Sequence, residues 1–286
     1  MWGLATAPES ERFASVSEDR TLRLWDARTR RELASRSFDT PLRAVAFSPD
    51  GAQLAVSLGT EENREEDKAG FIVVLDGETL EVQHGPHQVS IECDKCVLDL
   101  KWSPDGCLLA AAAADGNTYV LKAQHGYAEH CALTGHAAPV RQVDWSKDGA
   151  TLQTACAGFD LLQFDVESGR PLADGERVPE EAMWSWTSPV GWPVAGVWPP
   201  FSDGVETVAV ERSPGAQLLA AGDVFGRVKL LRYPAAKGAG FRIAAGHSSR
   251  TTICRWGSNG RTVFSTGDRD GAVLQWDVVA VGAILD

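Results

Sequence analysis

His247 and Asp270 are the residue types that, side by side, can act as a general base and its orienting carboxylate. No Ser or Cys in a nucleophile setting accompanies them, so no catalytic residue is assigned and no enzyme is expected. A second constellation is His84-x-x-His87 followed by Cys93-x-x-Cys96, four soft-to-borderline ligands of the kind zinc accepts tetrahedrally. Only five residues separate the two pairs, a separation unlike that of zinc fingers, and His84 falls in or beside a strand. A zinc site at His84, His87, Cys93 and Cys96 is therefore kept as a minor alternative to an ordinary connection. Lys237-Gly238-Ala239-Gly240 has neither the phosphate-loop pattern nor a following helix signal, and no cofactor is implied.

The elements that would position these residues follow from a repeated phrase: an alternating apolar stretch, an aromatic residue, then Ser-Pro-Asp-Gly or a relative of it. Clear copies are Val45 to Gly51, Leu100 to Gly106 and Val143 to Gly149; weaker ones are Glu211 to Gly215 and Arg255 to Gly260, and a degenerate one is Thr6 to Glu9. Positions 8, 49, 104, 147, 214 and 258 are equivalent, with spacings of 41, 55, 43, 67 and 44 residues. Each phrase is followed by an apolar run, a turn and a second alternating run that often ends before Asp, as in Leu24-Trp25-Asp26 and Gln275-Trp276-Asp277. These are strands joined by tight turns. Four short strands per unit of about 43 residues is the pattern of a WD40 propeller blade. The expected fold is all-β, a single WD40 β-propeller over residues 1–286 with six recognisable four-stranded blades. Val278 to Leu285 is the expected outer strand of the last blade.

Within a blade, a His, a Ser or Thr, an Asp and a Trp can form a buried hydrogen-bond chain that satisfies its own polar groups. His247, Thr266, Asp270 and Trp276 make the full set expected in the last unit, which is the structural reading of the His–Asp pair. Ser15, Asp19 and Trp25 make a partial set in the first unit, whose His would precede residue 1, so upstream sequence is expected. The fourth unit has His136 but Gly158 and Phe164 where Asp and Trp would fall, and the fifth has Phe225 and Leu231.

Two spacings are long, and insertions on a repeat scaffold map to loops. The loop over 59–70 carries Glu61, Glu62, Arg64, Glu65, Glu66, Asp67 and Lys68, read as a solvated loop and as the candidate partner contact. The connection over 84–96 is the other candidate. The insertion over about 173–204 holds four of the ten tryptophans. Two short apolar strands there would form a reduced extra blade or a flap, either packed in the core or exposed as an aromatic binding patch.

Composition narrows the partners. Of 286 residues, 44% are hydrophobic and 23% charged, an ordinary globular mixture. A net charge of −12 is the wrong sign for nucleic acid or an anionic membrane. The longest apolar runs fall far short of the roughly 20 residues a bilayer span needs. No secretory signal is visible, and six scattered cysteines fit a reducing compartment, so cytoplasm is expected.

Trp184 to Thr187, Gly196-Val197-Trp198-Pro199, Ser202-Asp203-Gly204 and Ala221 to Leu230 resemble the second propeller of echinoderm microtubule-associated protein-like (EMAP-like) proteins. The resemblance continues through Trp2 to Thr6, Ser17 to Arg20, Leu22 to Asp26, Gly135-His136, Val143 to Ser146 and Gly246 to Ser249, nearly the whole chain. It implies a cytoskeletal or ciliary protein with two joined propellers, of which this chain is the second. It also implies a propeller pair associated with tubulin, with lattice attachment depending on an N-terminal oligomeric, basic region. Self-association is not expected without an upstream coiled coil. The acidic outer face of a microtubule would repel a surface of this charge. The function expected is a non-catalytic interaction module binding tubulin or other cytoskeletal partners. A general WD40 scaffold for peptide motifs is the alternative.

Overall fold

A computed structural model describes residues 1–59, 70–85, 89, 93, 95–198 and 207–279. Among them the chain forms six antiparallel sheets, each laid down in sequence order. The first sheet is β1 (Gly3–Thr6), β2 (Arg12–Val16), β3 (Thr21–Asp26) and β4 (Arg31–Ser37). The second is β5 (Leu42–Phe47), β6 (Gln53–Leu58), β7 (Ile72–Asp76) and β8 (Val82–His84). The third is β9 (Val97–Trp102), β10 (Leu108–Ala113), β11 (Thr118–Lys122) and β12 (Ala128–Leu133). The fourth has three strands, β13 (Val140–Trp145), β14 (Thr151–Cys156) and β15 (Leu161–Asp165). The fifth is β16 (Thr207–Arg212), β17 (Leu218–Asp223), β18 (Arg227–Arg232) and β19 (Phe241–Ala245), and the sixth is β20 (Thr251–Trp256), β21 (Thr262–Gly267) and β22 (Val273–Asp277). The blade architecture expected from the repeat is present, with two sheets of three strands instead of four. In the fourth sheet the outer strand is reduced to a single pairing of Phe164 with Pro171, a residue without an N–H to extend the ladder. The expected outer strand of the sixth, Val278 to Leu285, lies mostly outside the described residues.

The chain divides into two compact units. One comprises Trp2–Pro8 and Arg12–Ser185, with sheets one to four; the other comprises Met1, Glu9–Glu11 and Trp186–Asp286, with sheets five and six. In the first unit, the second strands of sheets two and three each serve two cores. Leu54 and Val56 of β6 face the apolar cluster shared with sheet one, and Ala55 between them faces the cluster shared with sheet three. In β10, Leu109, Ala111 and Ala113 face sheet two while Ala110 and Ala112 face sheet four. Strand periodicity of two thus places alternate residues of one strand in different cores. Burial on both faces explains why these segments read as unbroken apolar runs. The outer strands β4, β8 and β12 are mostly exposed.

The Ser-x-Asp-Gly phrase forms the same turn three times. Ser48, Ser103 and Ser146 donate their hydroxyls to Asp50, Asp105 and Asp148 at 2.6, 2.5 and 2.6 Å. Each serine oxygen also accepts a backbone N–H five residues on, from Gln53, Leu108 and Thr151, at 2.9 Å. The glycines take φ of +71°, a left-handed conformation that disfavours any Cβ. A Cβ built on Gly51, Gly106 or Gly149 would lie 3.6–3.9 Å from Pro8, Pro49 or Pro104 of the preceding copy. The proline of one phrase therefore rests against the glycine of the next.

Lys147 stands where the other clear copies have proline, and its N–H donates to the Ala182 carbonyl at 2.8 Å. Ser146 pairs with Met183, and the Trp184 N–H donates to the Trp145 carbonyl at 2.8 Å. The departure from proline marks where the tryptophan-rich insertion attaches. Ser185 Oγ completes the attachment by donating to Asp144 Oδ1 at 2.6 Å; the same oxygen takes Lys101 Nζ at 2.6 Å.

The two short strands expected in the insertion are not strands. Glu180–Ala182 and Trp192–Val197 are 3₁₀ turns, and among the described residues no extra sheet forms. Pro193 removes a ladder donor, and Gly191, at φ 118°, breaks extended geometry. The aromatic residues of the insertion divide between core and solvent. Met183, Trp186, Val194 and Val197 are buried, whereas Trp184 and Trp192 are 46% and 58% exposed. In the second unit, Gly196 N–H donates to the Ala235 carbonyl at 2.7 Å and Ala235 N–H to the Pro193 carbonyl at 2.8 Å.

Candidate functional site

His247 precedes β20, with its side chain buried. Its Nδ1 lies 2.9 Å from Asp270 Oδ2 and its Nε2 2.8 Å from Ser265 Oγ, which also accepts Trp276 Nε1–H at 2.8 Å. The hydroxyl in this chain is Ser265, not Thr266. Adjacent strand residues face opposite ways, and Thr266 Oγ1 instead meets Thr252 Oγ1 at 2.8 Å. In the first sheet, Trp25 Nε1–H donates to Ser15 Oγ at 2.9 Å, and Asp19 Oδ1 accepts the N–H and hydroxyl of Thr21. Asp19 lies four positions after Ser15 but Asp270 five after Ser265, because the β21–β22 turn is one residue longer. Burial alone would raise the Asp270 carboxyl; the Ala272 N–H, His247 and the Ser248 N–H outweigh it and hold it below the ordinary range.

The fourth sheet repeats this arrangement with parts missing. His136 Nε2 lies 2.7 Å from Thr154 Oγ1, but Phe164 stands where Trp276 would, and Gly158 offers no carboxylate. The fifth sheet takes its carboxylate from Asp223, two residues before Phe225. Asp223 Oδ1 accepts the N–H groups of Phe225 and Arg227 at 3.0 Å, and Oδ2 takes Arg227 Nε at 2.7 Å. That fully buried carboxylate pins a tight turn at whose tip Phe225 is 61% exposed, with the Arg227 guanidinium 4.8 Å from its ring. An exposed aromatic beside an arginine has the composition of an interface anchor. In the sequence Phe225 stands only where the unit lacks its Asp; the Asp223-x-Phe225-Gly226-Arg227 spacing is the signal that marks it as an anchor.

Of the expected zinc ligands, His87 lies outside the described residues. His84 pairs with Val74 and sets its ring edge against Tyr127, centroids 5.1 Å apart. The Cys93 thiol donates to the Lys95 carbonyl at 2.9 Å and to Asp115 Oδ2 at 3.2 Å, and burial foremost pushes it up to about 12. The Cys96 carbonyl accepts the Ala114 N–H at 3.0 Å. Among the described residues His84, Cys93 and Cys96 do not converge as a ligand set. The acidic loop residues Glu61, Glu62, Arg64, Glu65, Glu66, Asp67 and Lys68 lie outside the described residues.

Residues 1–278 match the family described as echinoderm microtubule-associated protein second beta-propeller. The chain is 30% identical, over 97% of its length, to echinoderm microtubule-associated protein-like 2 of Rattus norvegicus, covering 41% of that protein. It is 29% identical over 98% of its length to the 77 kDa echinoderm microtubule-associated protein of Strongylocentrotus purpuratus, covering 39% of it. It therefore spans about two-fifths of the length of these relatives. A chain in a crystal structure of the mitotic checkpoint complex shares the fold, with a TM-score of 0.75 at 17% identity over 97% of this chain and 87% of that one.

Proposed function

This chain belongs to the echinoderm microtubule-associated protein family, as a second β-propeller, and from that membership we propose that it is a non-catalytic interaction module for tubulin or another cytoskeletal or ciliary protein. The family match over residues 1–278 carries the reading. The local geometry supports it. The His247–Asp270 pair, whose residue types suit a general base and its carboxylate, spends both ring nitrogens on structural partners. What faces solvent instead is a set of exposed aromatics, with Phe225 and Trp192 in one unit and Phe159 and Trp184 in the other. Recognition by rigid turns bearing such anchors needs no chemistry, only preorganised surface.

A place on the cytoskeleton within the cytoplasm is part of the same proposal. The relatives are microtubule-associated by name, and this chain corresponds to about two-fifths of them. A net charge of −12 favours a second reading, a scaffold for peptide motifs, because an acidic surface is repelled by an acidic lattice. Microtubule co-sedimentation and a soluble tubulin pull-down, each at low and moderate salt, test the proposal. Capture of tubulin in either supports it. No binding in both removes tubulin, and proximity labelling dominated by non-cytoskeletal proteins then selects the scaffold.

A further inference from the structure

His136 has lost the carboxylate that its counterpart His247 keeps. Its Nδ1 is buried and, among the described residues, has no hydrogen-bond partner. A buried ring nitrogen left without a partner is destabilising. The β14–β15 turn brings two further donors close to this ring. The ligand atoms of His136, Cys156 and Asp160 all lie within 4.8 Å of one another, and Cys156 Sγ is 3.9 Å from Asp160 Oδ2.

The turn itself is tightly held. Phe159 N–H donates to the Cys156 carbonyl at 3.0 Å, and Cys156 N–H to the Asp160 carbonyl at 3.1 Å, so the thiol and the carboxylate sit on one fixed loop. Gly158 leaves the space between them open. A Cβ there would lie 3.5 Å from Cys156 Sγ, 3.9 Å from Asp160 Oδ2 and 3.6 Å from the Ala138 Cβ.

We propose that His136 Nδ1, Cys156 Sγ and a carboxylate oxygen of Asp160 bind one divalent transition-metal ion, zinc foremost, with water as the fourth ligand. One nitrogen, one sulfur and one oxygen donor make a borderline set suited to zinc. Tetrahedral donors at zinc bond lengths lie about 3.5 Å apart, so binding an ion draws three atoms that already lie within 4.8 Å of one another closer together. Thr154 fits the second shell. An Nε2–H donated to its oxygen fixes the tautomer that leaves the Nδ1 lone pair free.

Cobalt titration of the chelator-treated full chain, followed by zinc competition, tests the site. The expected result is one equivalent of cobalt with a thiolate charge-transfer band that zinc abolishes. Cys156→Ala should remove the band, while a Cys93→Ala/Cys96→Ala double variant keeps it. Asp160→Asn, at an exposed position that spares the fold, should weaken zinc at least 10-fold. Thr154→Val should weaken it by about 10- to 100-fold, as loss of a second-shell partner does. No band in the unaltered chain, a band retained by Cys156→Ala, loss of the band in the Cys93/Cys96 variant, or unchanged zinc affinity in Asp160→Asn would each overturn the proposal.

Discussion

Ser265 is the hinge of the buried bond chain in the sixth sheet, because one hydroxyl serves both the His247 ring and the Trp276 indole. Ser265→Ala leaves two buried polar groups short of a partner and is expected to cost about 2–3 kcal/mol. Thr266→Val keeps the volume and removes only the bond to Thr252, which retains the Thr266 carbonyl at 3.3 Å as an alternative acceptor; about 1 kcal/mol or less is expected. Urea denaturation of the two variants checks the order, and equal losses would restore Thr266 to the network. The residue types of this network were legible in the sequence, but which of two adjacent hydroxyls joins it was not. The answer depends on one extra residue in a turn, and a slip of one position in a strand moves a side chain to the other face. His136, Cys156 and Asp160 were less legible still, since a turn and a preceding connection bring them together at separations that match no metal motif.

At the scale of elements, the three Ser-x-Asp turns share an electrostatic signature. The Ser48, Ser103 and Ser146 hydroxyls are the largest of the influences that hold Asp50, Asp105 and Asp148 below the ordinary carboxylate range. Depressed folded values mean that their stabilisation is complete above the unfolded value of about 3.9 and is lost as pH falls through the folded ones. The triple variant Asp50→Asn, Asp105→Asn, Asp148→Asn keeps an acceptor in each turn and should flatten the fall of the urea midpoint below about pH 4. A midpoint that falls as steeply as in the unaltered chain would place the acid sensitivity elsewhere. The strands around these turns were readable because the phrase recurs and its apolar alternation has period two. The insertion was not, because its attachment runs through single backbone bonds at Lys147 and Trp184 rather than through a ladder. Lys147→Pro deletes the donor to Ala182 and should cost about 2 kcal/mol and shift the tryptophan emission, whereas Lys147→Ala should stay within about 0.5 kcal/mol of the parent. Equivalent behaviour of the two variants would show that the attachment does not depend on this N–H.

For the whole molecule the governing quantity is charge. At −12, an acidic partner surface is opposed at long range, and salt screens that opposition over a Debye length of about 8 Å at physiological strength. Binding of the isolated chain to microtubules is therefore expected to rise from low to moderate salt, the reverse of a basic lattice-binding segment. Co-sedimentation across a salt series reads the sign directly, and a steady decline with salt would mean that a local basic contact dominates the net charge.

The seating of each proline on the following glycine also bears on how these repeats have diverged. Duplicated units ordinarily drift apart independently, but here a change at Pro49 alters the fit of Gly106, and a change at Pro104 that of Gly149. Selection then acts on neighbouring copies as linked pairs. Gly260, whose Cβ position has nothing within 4 Å, sits in one of the weaker copies, Gly-Ser-Asn-Gly. The three copies with the full Ser-x-Asp-Gly turn are the three whose glycine has the preceding proline beside it.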